Sequence, residues 1–149
     1  MIDIEIRFCE ISDIPNLLTL MEQLGYPVTE IELKSRFQRF IKNDGYGVTV
    51  ALKTNKIVGF ISWSKSILIV TNQTRFHIEA LIVHRDHRGQ RIGKKLMCFV
   101  EDIARKYRPS IVDLTSGLRR ANDGSHEFYK NLGYQNDGPM AKLYLRKEF

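Results

Sequence analysis

The run R75-F-H-I-E-A-L-I-V-H-R-D-H-R-G-Q-R-I-G-K-K-L-M-C-F-V-E-D-I-A-R-K106 decides the fold, and it reads as a strand, a basic turn and a helix. Residues 76–83 are short and nearly continuously apolar, which fits a strand buried on both faces better than a helix. His77 and Glu79 interrupt the run. Because side chains alternate along a strand, His77, Glu79 and Leu81 are expected on one face, and Ile78, Ala80 and Ile82 on the other. A carboxylate in so apolar a strand needs a reason.

After the strand, His84, Arg85, His87, Arg88 and Arg91 crowd around Gly89. From Arg91 the period changes: Ile92, Leu96, Phe99, Val100, Ile103 and Tyr107 recur at spacings of three and four, as on an amphipathic helix. The glycines therefore fall where a helix begins. A helix N-terminus offers unpaired N–H groups and partial positive charge, which suits a phosphate. Gly89 and Gly93 would let the main chain approach such an anion, and Arg88, Arg91, Lys94 and Lys95 add cations. The commoner phosphate loops are absent: there is no G-x-x-x-x-G-K-S/T, and no G-x-G-x-x-G after the first strand.

R88-G-Q-R-I-G93 resembles the pyrophosphate-binding element of the GCN5-related N-acetyltransferases, R/Q-x-x-G-x-G/A, which holds coenzyme A. Arg91 stands where that family most often has glycine. If the backbone there needs a positive φ, a non-glycine residue costs about 1 kcal/mol. If Arg91 is already helical the cost vanishes, and the onset of the helical period at Arg91 favours that second reading.

Working outward, residues 4–8 alternate as a first strand. Ser12 is the expected N-cap of a helix carrying Ile14, Leu17, Leu18, Met21 and Leu24, stopped by Gly25. Thr29-x-x-Glu32 is a capping box for a second helix with Leu33, Phe37, Phe40 and Ile41, ending at N43-D-G45. Residues 48–53 and 57–63 form a hairpin joined by Thr54-Asn55. A kink at 64–65 is expected before 67–70. Beyond Pro109, a short buried strand is expected over 111–115, a loop over 116–120, a helix over 121–132 ended by Gly133, and a closing strand over 140–146. This gives an α/β (α+β) class with a single mixed, mostly antiparallel sheet flanked by helices. The order is that of the acetyltransferase family, so the resemblance covers essentially the whole chain.

A second stretch, A121-N-D-G-S-H-E-F-Y-K-N-L-G-Y134, resembles the family's N-x-x-A/S-x-x-F-Y-x-x-x-G-F/Y segment at Asn122, Ser125, Phe128, Tyr129, Gly133 and Tyr134. Asn122 and Tyr129 are seven apart and share a face of a continuous helix. The resemblance implies that Asn122 hydrogen-bonds the pantetheine arm and that Tyr129 is the general acid. A phenol near pKa 10 can supply the proton that a departing thiolate near 8.5 requires. An amine that is protonated at neutral pH needs a base. Glu79 is the first candidate, its pKa raised if apolar neighbours enclose it, and His77 ranks second. The main-chain N–H groups of Leu81, Ile82 and Val83 are the natural oxyanion donors. The implied cofactor set is thus Leu81, Ile82, Val83, Arg88, Gly89, Gln90, Arg91, Ile92, Gly93, Lys94, Asn122 and Tyr129, with acetyl-coenzyme A as co-substrate and no metal.

Blander readings stand beside these. The basic run can be a solvated helix start, Tyr129 a packing residue beside Phe128, and Glu79 a structural carboxylate paired with an arginine. His77, His84, His87 and His126 individually suit surface or packing roles. Cys9 and Cys98 read as reduced thiols in or near the core, with no base to make Cys98 a nucleophile.

At 149 residues, 43% apolar and 27% charged, the chain has the composition of one soluble domain, residues 1–149. No apolar run reaches a membrane span, and M-I-D-I-E-I-R lacks the features of a signal peptide, so a cytoplasmic protein with no membrane partner is expected. The net charge of +6 favours an acidic partner. A nucleic-acid-binding module is the rival from another class, but no zinc-finger, RNA-recognition or helix-turn-helix signature supports it. A coenzyme-binding sensor without turnover is a second rival. The expected partner is a primary amine on a small molecule or peptide, and a homodimer is compatible with the reading. The first two helices and nearby loops would select that amine, with no physical basis for choosing Tyr26, Phe37 or Trp63 as its pocket wall.

Overall fold

A computed structural model describes residues 3–116 and 124–149. In chain order it contains β1 (Ile4–Phe8), a 3-10 helix (Ile11–Leu17), α1 (Leu18–Leu24), α2 (Glu30–Ile41), β2 (Gly47–Lys53), β3 (Lys56–Ile67), β4 (Thr74–Val83), α3 (Ile92–Arg105), β5 (Ser110–Leu114) and α4 (Ser125–Asn131). Five strands form one mixed sheet in the order β1-β2-β3-β4-β5, the expected class. The first four run antiparallel to their neighbours. The chain divides into two compact units, one up to Val112 and one from Asp113, with the boundary inside β5.

Local chemistry explains most boundaries. Thr29 Oγ1 accepts from Glu32 N at 3.2 Å and so starts α2, as expected. Gly25, at φ 99°, ends α1 in the left-handed conformation that favours glycine. Thr54 and Asn55, at φ 49° and 64°, make the tight turn between β2 and β3.

Three expectations fail for identifiable reasons. Ser12 caps nothing. Instead Asp13 accepts from Glu10 N at 2.8 Å, and the chain enters α1 through the 3-10 helix with Pro15 inside it. The kink at 64–65 is absent, because β3 runs unbroken to Ile67; residues 68–70 belong to no strand, and Ile69 and Val70 are exposed. The closing strand over 140–146 is also absent: Gly138–Met140 is a 3-10 turn and residues 141–149 carry no strand. There the Asn136 amide accepts from Lys142 N at 2.7 Å and donates to Lys142 O at 3.4 Å, occupying the main-chain groups that a ladder would use.

The register corrects the expected faces of β4. Ser62 lies opposite Ala80 and Trp63 opposite Ile78, so Glu79 is the extra residue of a β-bulge. Directly opposed residues share a face, and the bulge therefore reverses the phase of the strand. Phe76, Ile78, Leu81 and Val83 share one face, while His77, Ala80 and Ile82 share the other. Simple alternation had put Ile78 with Ala80 and Ile82, and Leu81 with His77.

The first of these faces is covered by α3, whose Ile92, Leu96, Met97 and Val100 are each at most 1% exposed. Burying one such side chain contributes about 1.5–3 kcal/mol. Gly59 is required here, because a Cβ would come within 2.9 Å of Ile82 O. Trp63 packs on the same face with Phe8 and Phe99. The opposite face carries Ile14, Leu17, Leu20, Leu24 and Phe37 over Val48, Val50, Leu52, Phe60 and Ile82. Trp63 and Phe37 are thus core residues, whereas Tyr26 is exposed.

An ion pair ties β1 to the 3-10 helix. Arg7 donates to both Asp13 oxygens, at 2.7 and 2.9 Å, and Asp13 is buried. This bidentate pairing holds the Asp13 carboxyl below its ordinary pKa, against the opposing effect of burial. The carboxylate form therefore stabilises the fold fully above the ordinary aspartate pKa near 3.9, and that stability is lost as the pH falls through the lowered folded value. Asp13→Asn should cost about 2 kcal/mol at neutral pH. It should also flatten the acid limb of the stability profile, as measured by thermal unfolding across pH.

Candidate active site

The site begins where β4 ends. His84 N donates to Val58 O at 2.7 Å, and along a strand alternate N–H groups point the same way. Ile82 N–H is therefore used in the ladder with β3, and Leu81 and Val83 turn theirs to the other edge. Of the three expected oxyanion donors, the ladder with β3 thus takes Ile82, and Leu81 and Val83 face the opposite edge of β4. The Ile82 side chain is core.

From Val83 the chain passes through a 3-10 turn, Arg85–His87, capped by His84 Nδ1, which accepts from Asp86 N at 3.1 Å. Arg88 Nε donates to Val83 O at 3.1 Å, folding the turn back onto the strand end. Gln23 Oε1 accepts from Arg85 N at 2.9 Å, and Lys53 Nζ donates to Gln90 Oε1 at 2.7 Å, so α1 and the β2–β3 hairpin also brace it. Gly89 has φ 78°, a conformation that favours glycine.

Arg91 has φ 64° and ψ 16° and is the N-cap of α3. The expectation that it lies inside the helix is overturned: it is left-handed, in the conformation for which glycine would be suited. The first helical hydrogen bond runs from Lys95 N to Arg91 O, so the N–H groups of Ile92, Gly93 and Lys94 have no acceptor within the helix. Ile92 is 1% exposed, and any role of its own in anion binding falls to its main chain. Arg88, Arg91, Lys94 and Lys95 are exposed around this helix start. Backbone donors, a helix dipole and four cations there can hold a phosphate or pyrophosphate.

Glu79 is exposed and not enclosed by apolar neighbours. Its Oε2 accepts from Ser62 Oγ at 2.5 Å. Its partner is thus a buried hydroxyl, where an arginine was the alternative. His77 Nδ1 lies 3.0 Å from Arg75 Nη2. Sequence reasoning missed Ser62, although a lone hydroxyl in the apolar run I57-V-G-F-I-S-W63 was the available signal.

In the second unit, α4 starts after Gly124 (φ 85°) and is closed by Gly133 (φ 93°), with Tyr134 N donating to Tyr129 O at 3.0 Å. Tyr129 is half-buried, its ring edge-on to Phe128 at 5.1 Å and to Tyr134 at 6.2 Å. Asn122 lies outside the described residues, and the helix expected over 121–132 is shorter than expected: Gly124 is left-handed and α4 begins only at Ser125, so Tyr129 is not on a helix continuous from 121.

Burial, and secondarily Asp13, push the Cys9 thiol up to about 12. A cavity of about 390 Å3 opens beside β1 and α3, lined by Ile6, Arg91, Lys94, Lys95, Cys98, Phe99 and Asp102, on the α3 face and away from Glu79. Among the described residues no group of three His, Cys, Asp or Glu could hold a metal ion, and no helix is long and apolar enough to cross a membrane.

The left-handed Arg91 makes a stability prediction. Arg91→Gly removes a strain of about 1–2 kcal/mol, offset by about 0.5–1 kcal/mol of extra chain entropy. The melting temperature should therefore rise slightly; a fall would show that the Arg91 side chain contributes more than its backbone costs.

Three comparisons bear on this geometry. An aminoalkylphosphonate N-acetyltransferase from Salmonella typhimurium is 29% identical over 86 residues, 58% of this chain and 54% of that protein. An uncharacterized N-acetyltransferase from Methanocaldococcus jannaschii is 32% identical over 111 residues, 74% of this chain and 48% of that protein. The chain thus spans about half the length of the curated relatives it matches. A crystal structure of a GNAT family acetyltransferase from Staphylococcus aureus superposes with a TM-score of 0.79 and 27% identity, covering 98% of each chain. The profile of the Acetyltransferase (GNAT) family matches residues 12–134, and this chain, with its β4, basic turn and α3, belongs to that family.

Proposed function

We propose that the protein is an acetyl-coenzyme A-dependent N-acetyltransferase, one catalytic domain over residues 1–149, that passes the acetyl group directly to a primary amine of a small molecule or peptide. The observation that carries this reading is the turn after β4, where left-handed Gly89 and Arg91 deliver the chain into a helix start ringed by cations. Family membership supports it. A cytoplasmic location is part of the proposal, as are the absence of metal and nucleic-acid partners.

In this reading the N–H groups of Ile92, Gly93 and Lys94 hold the pyrophosphate of the co-substrate, with Arg88, Arg91 and Lys94 supplying charge and Gly89 and Gln90 shaping the turn. Asn122 holds the pantetheine arm. Leu81 and Val83 N–H groups, with Ile82 keeping the strand in register between them, stabilise the oxyanion that forms on the acetyl carbonyl. Glu79 takes a proton from the attacking amine, with His77 the alternative base, and Tyr129 returns a proton to the departing thiolate. The name of the Salmonella relative makes aminoalkylphosphonates the first acceptors to try in a panel of amines.

Two measurements test the proposal. Coenzyme A should raise the melting temperature of the wild type but not of Gly93→Glu, which puts a carboxylate against the phosphates; equal stabilisation of both removes the site. Tyr129→Phe keeps the ring and its packing but loses the proton, so turnover should fall by about 10²- to 10⁴-fold with coenzyme affinity retained. Full activity in that variant removes the acid assignment. Wild-type binding without turnover of any amine would favour a coenzyme sensor.

A further inference from the structure

Resting on the reading of Glu79 as the base, we propose that Ser62 is its positioning residue: a buried hydroxyl that fixes one carboxylate oxygen and presents the other to the acceptor amine.

Ser62 is 4% exposed within β3, between Ile61 at 0% and Trp63 at 2%. A hydroxyl in that setting costs free energy unless it is hydrogen-bonded. Its bond goes to Glu79 Oε2 at 2.5 Å. Glu79 needs such an anchor because it is the extra residue of the bulge. Ile78 and Ala80 are each aligned with a residue of β3, whereas Glu79 has no opposite number to hold it. A flexible, exposed carboxylate samples many rotamers, and a base must present one lone pair along the line of the departing proton. Binding Oε2 from below leaves Oε1 as the oxygen that takes the proton.

The register puts Ser62 on the same face as Ala80 and Ile82, the face covered by the 3-10 helix, α1 and α2. The anchor therefore holds Glu79 to the side of the sheet from which those helices would select an acceptor. A neutral hydroxyl suits this role better than a cation. A single serine hydrogen bond orients the carboxylate without setting a positive charge beside it.

A double-mutant cycle separates positioning from a purely structural bond across the bulge. The substrates are acetyl-coenzyme A and aminomethylphosphonate, or whichever amine the panel identifies. Ser62→Ala should lower kcat by about 10- to 100-fold with the KM for acetyl-coenzyme A unchanged, and Ser62→Thr, which restores a hydroxyl, should recover most of the loss. In a Glu79→Gln background, which keeps an oxygen acceptor but removes the base, Ser62→Ala should cause no further loss. An equal loss in both backgrounds, or full activity of Ser62→Ala, overturns the positioning role while leaving the base reading intact. Full activity of Glu79→Gln overturns the base reading, and the role of Ser62 falls with it.

Discussion

The end of β4 is held by β3, the first N–H groups of α3 have no acceptor within the helix, and the eight residues that join them turn left-handed twice on the way. Several contacts of the first unit brace that joint. Arg88 folds back to the Val83 carbonyl, Gln23 and Lys53 brace the turn from α1 and from the hairpin, and Gly89 and Arg91 supply the two positive φ angles. At Arg91 the fold accepts conformational strain where glycine would have none, and a cationic side chain stands at the start of the helix. Strain of this kind persists only where the surroundings over-determine the backbone. Here Ile92, fully buried immediately after it, does so.

The sheet separates two jobs. One face is a dry layer under α3, closed by Leu96, Met97 and Val100 and by the aromatic group of Phe8, Trp63 and Phe99. The other packs beneath the 3-10 helix, α1 and α2, and it is there that the polar pair Ser62–Glu79 is found. The Arg7–Asp13 pair fastens the first helical turn to the edge strand of this side. The Ser62–Glu79 pair thus lies on the face away from α3, beside the apolar cluster beneath the first helices.

What the sequence disclosed and what it withheld follow from the range of the interactions involved. Thr29, Gly25 and the Thr54-Asn55 pair act within one turn of chain, and each did what its local chemistry implies. The α3 period was legible because Ile92, Leu96 and Val100 repeat it along the buried face of the helix. The bulge was not, since it is a mismatch in length between β3 and β4, and a strand read alone carries no sign of its partner's count. The same blindness produced the false closing strand: residues 140–146 alternate, but alternation fixes faces and not a partner, and Asn136 took the main-chain groups of Lys142. The left-handed Arg91 was hidden because arginine favours the right-handed region, and only the family's preference for glycine there hinted otherwise. For the candidate site, the helix start and Glu79 were singled out from residue type, spacing and the family resemblance. Ser62 was found only once the fold had brought positions 62 and 79 together.

The bulge bears on how such a carboxylate could arise or disappear. Because Ile78 and Ala80 already align with consecutive residues of β3, Glu79 is additional to the ladder and replaces nothing in it. Excising that one residue would leave every flanking pair in place and every core side chain on its present face. A strand built this way can gain or shed an acidic group by a three-nucleotide insertion or deletion with the ladder and the core faces kept, the cost falling on the buried Ser62 hydroxyl that loses its partner.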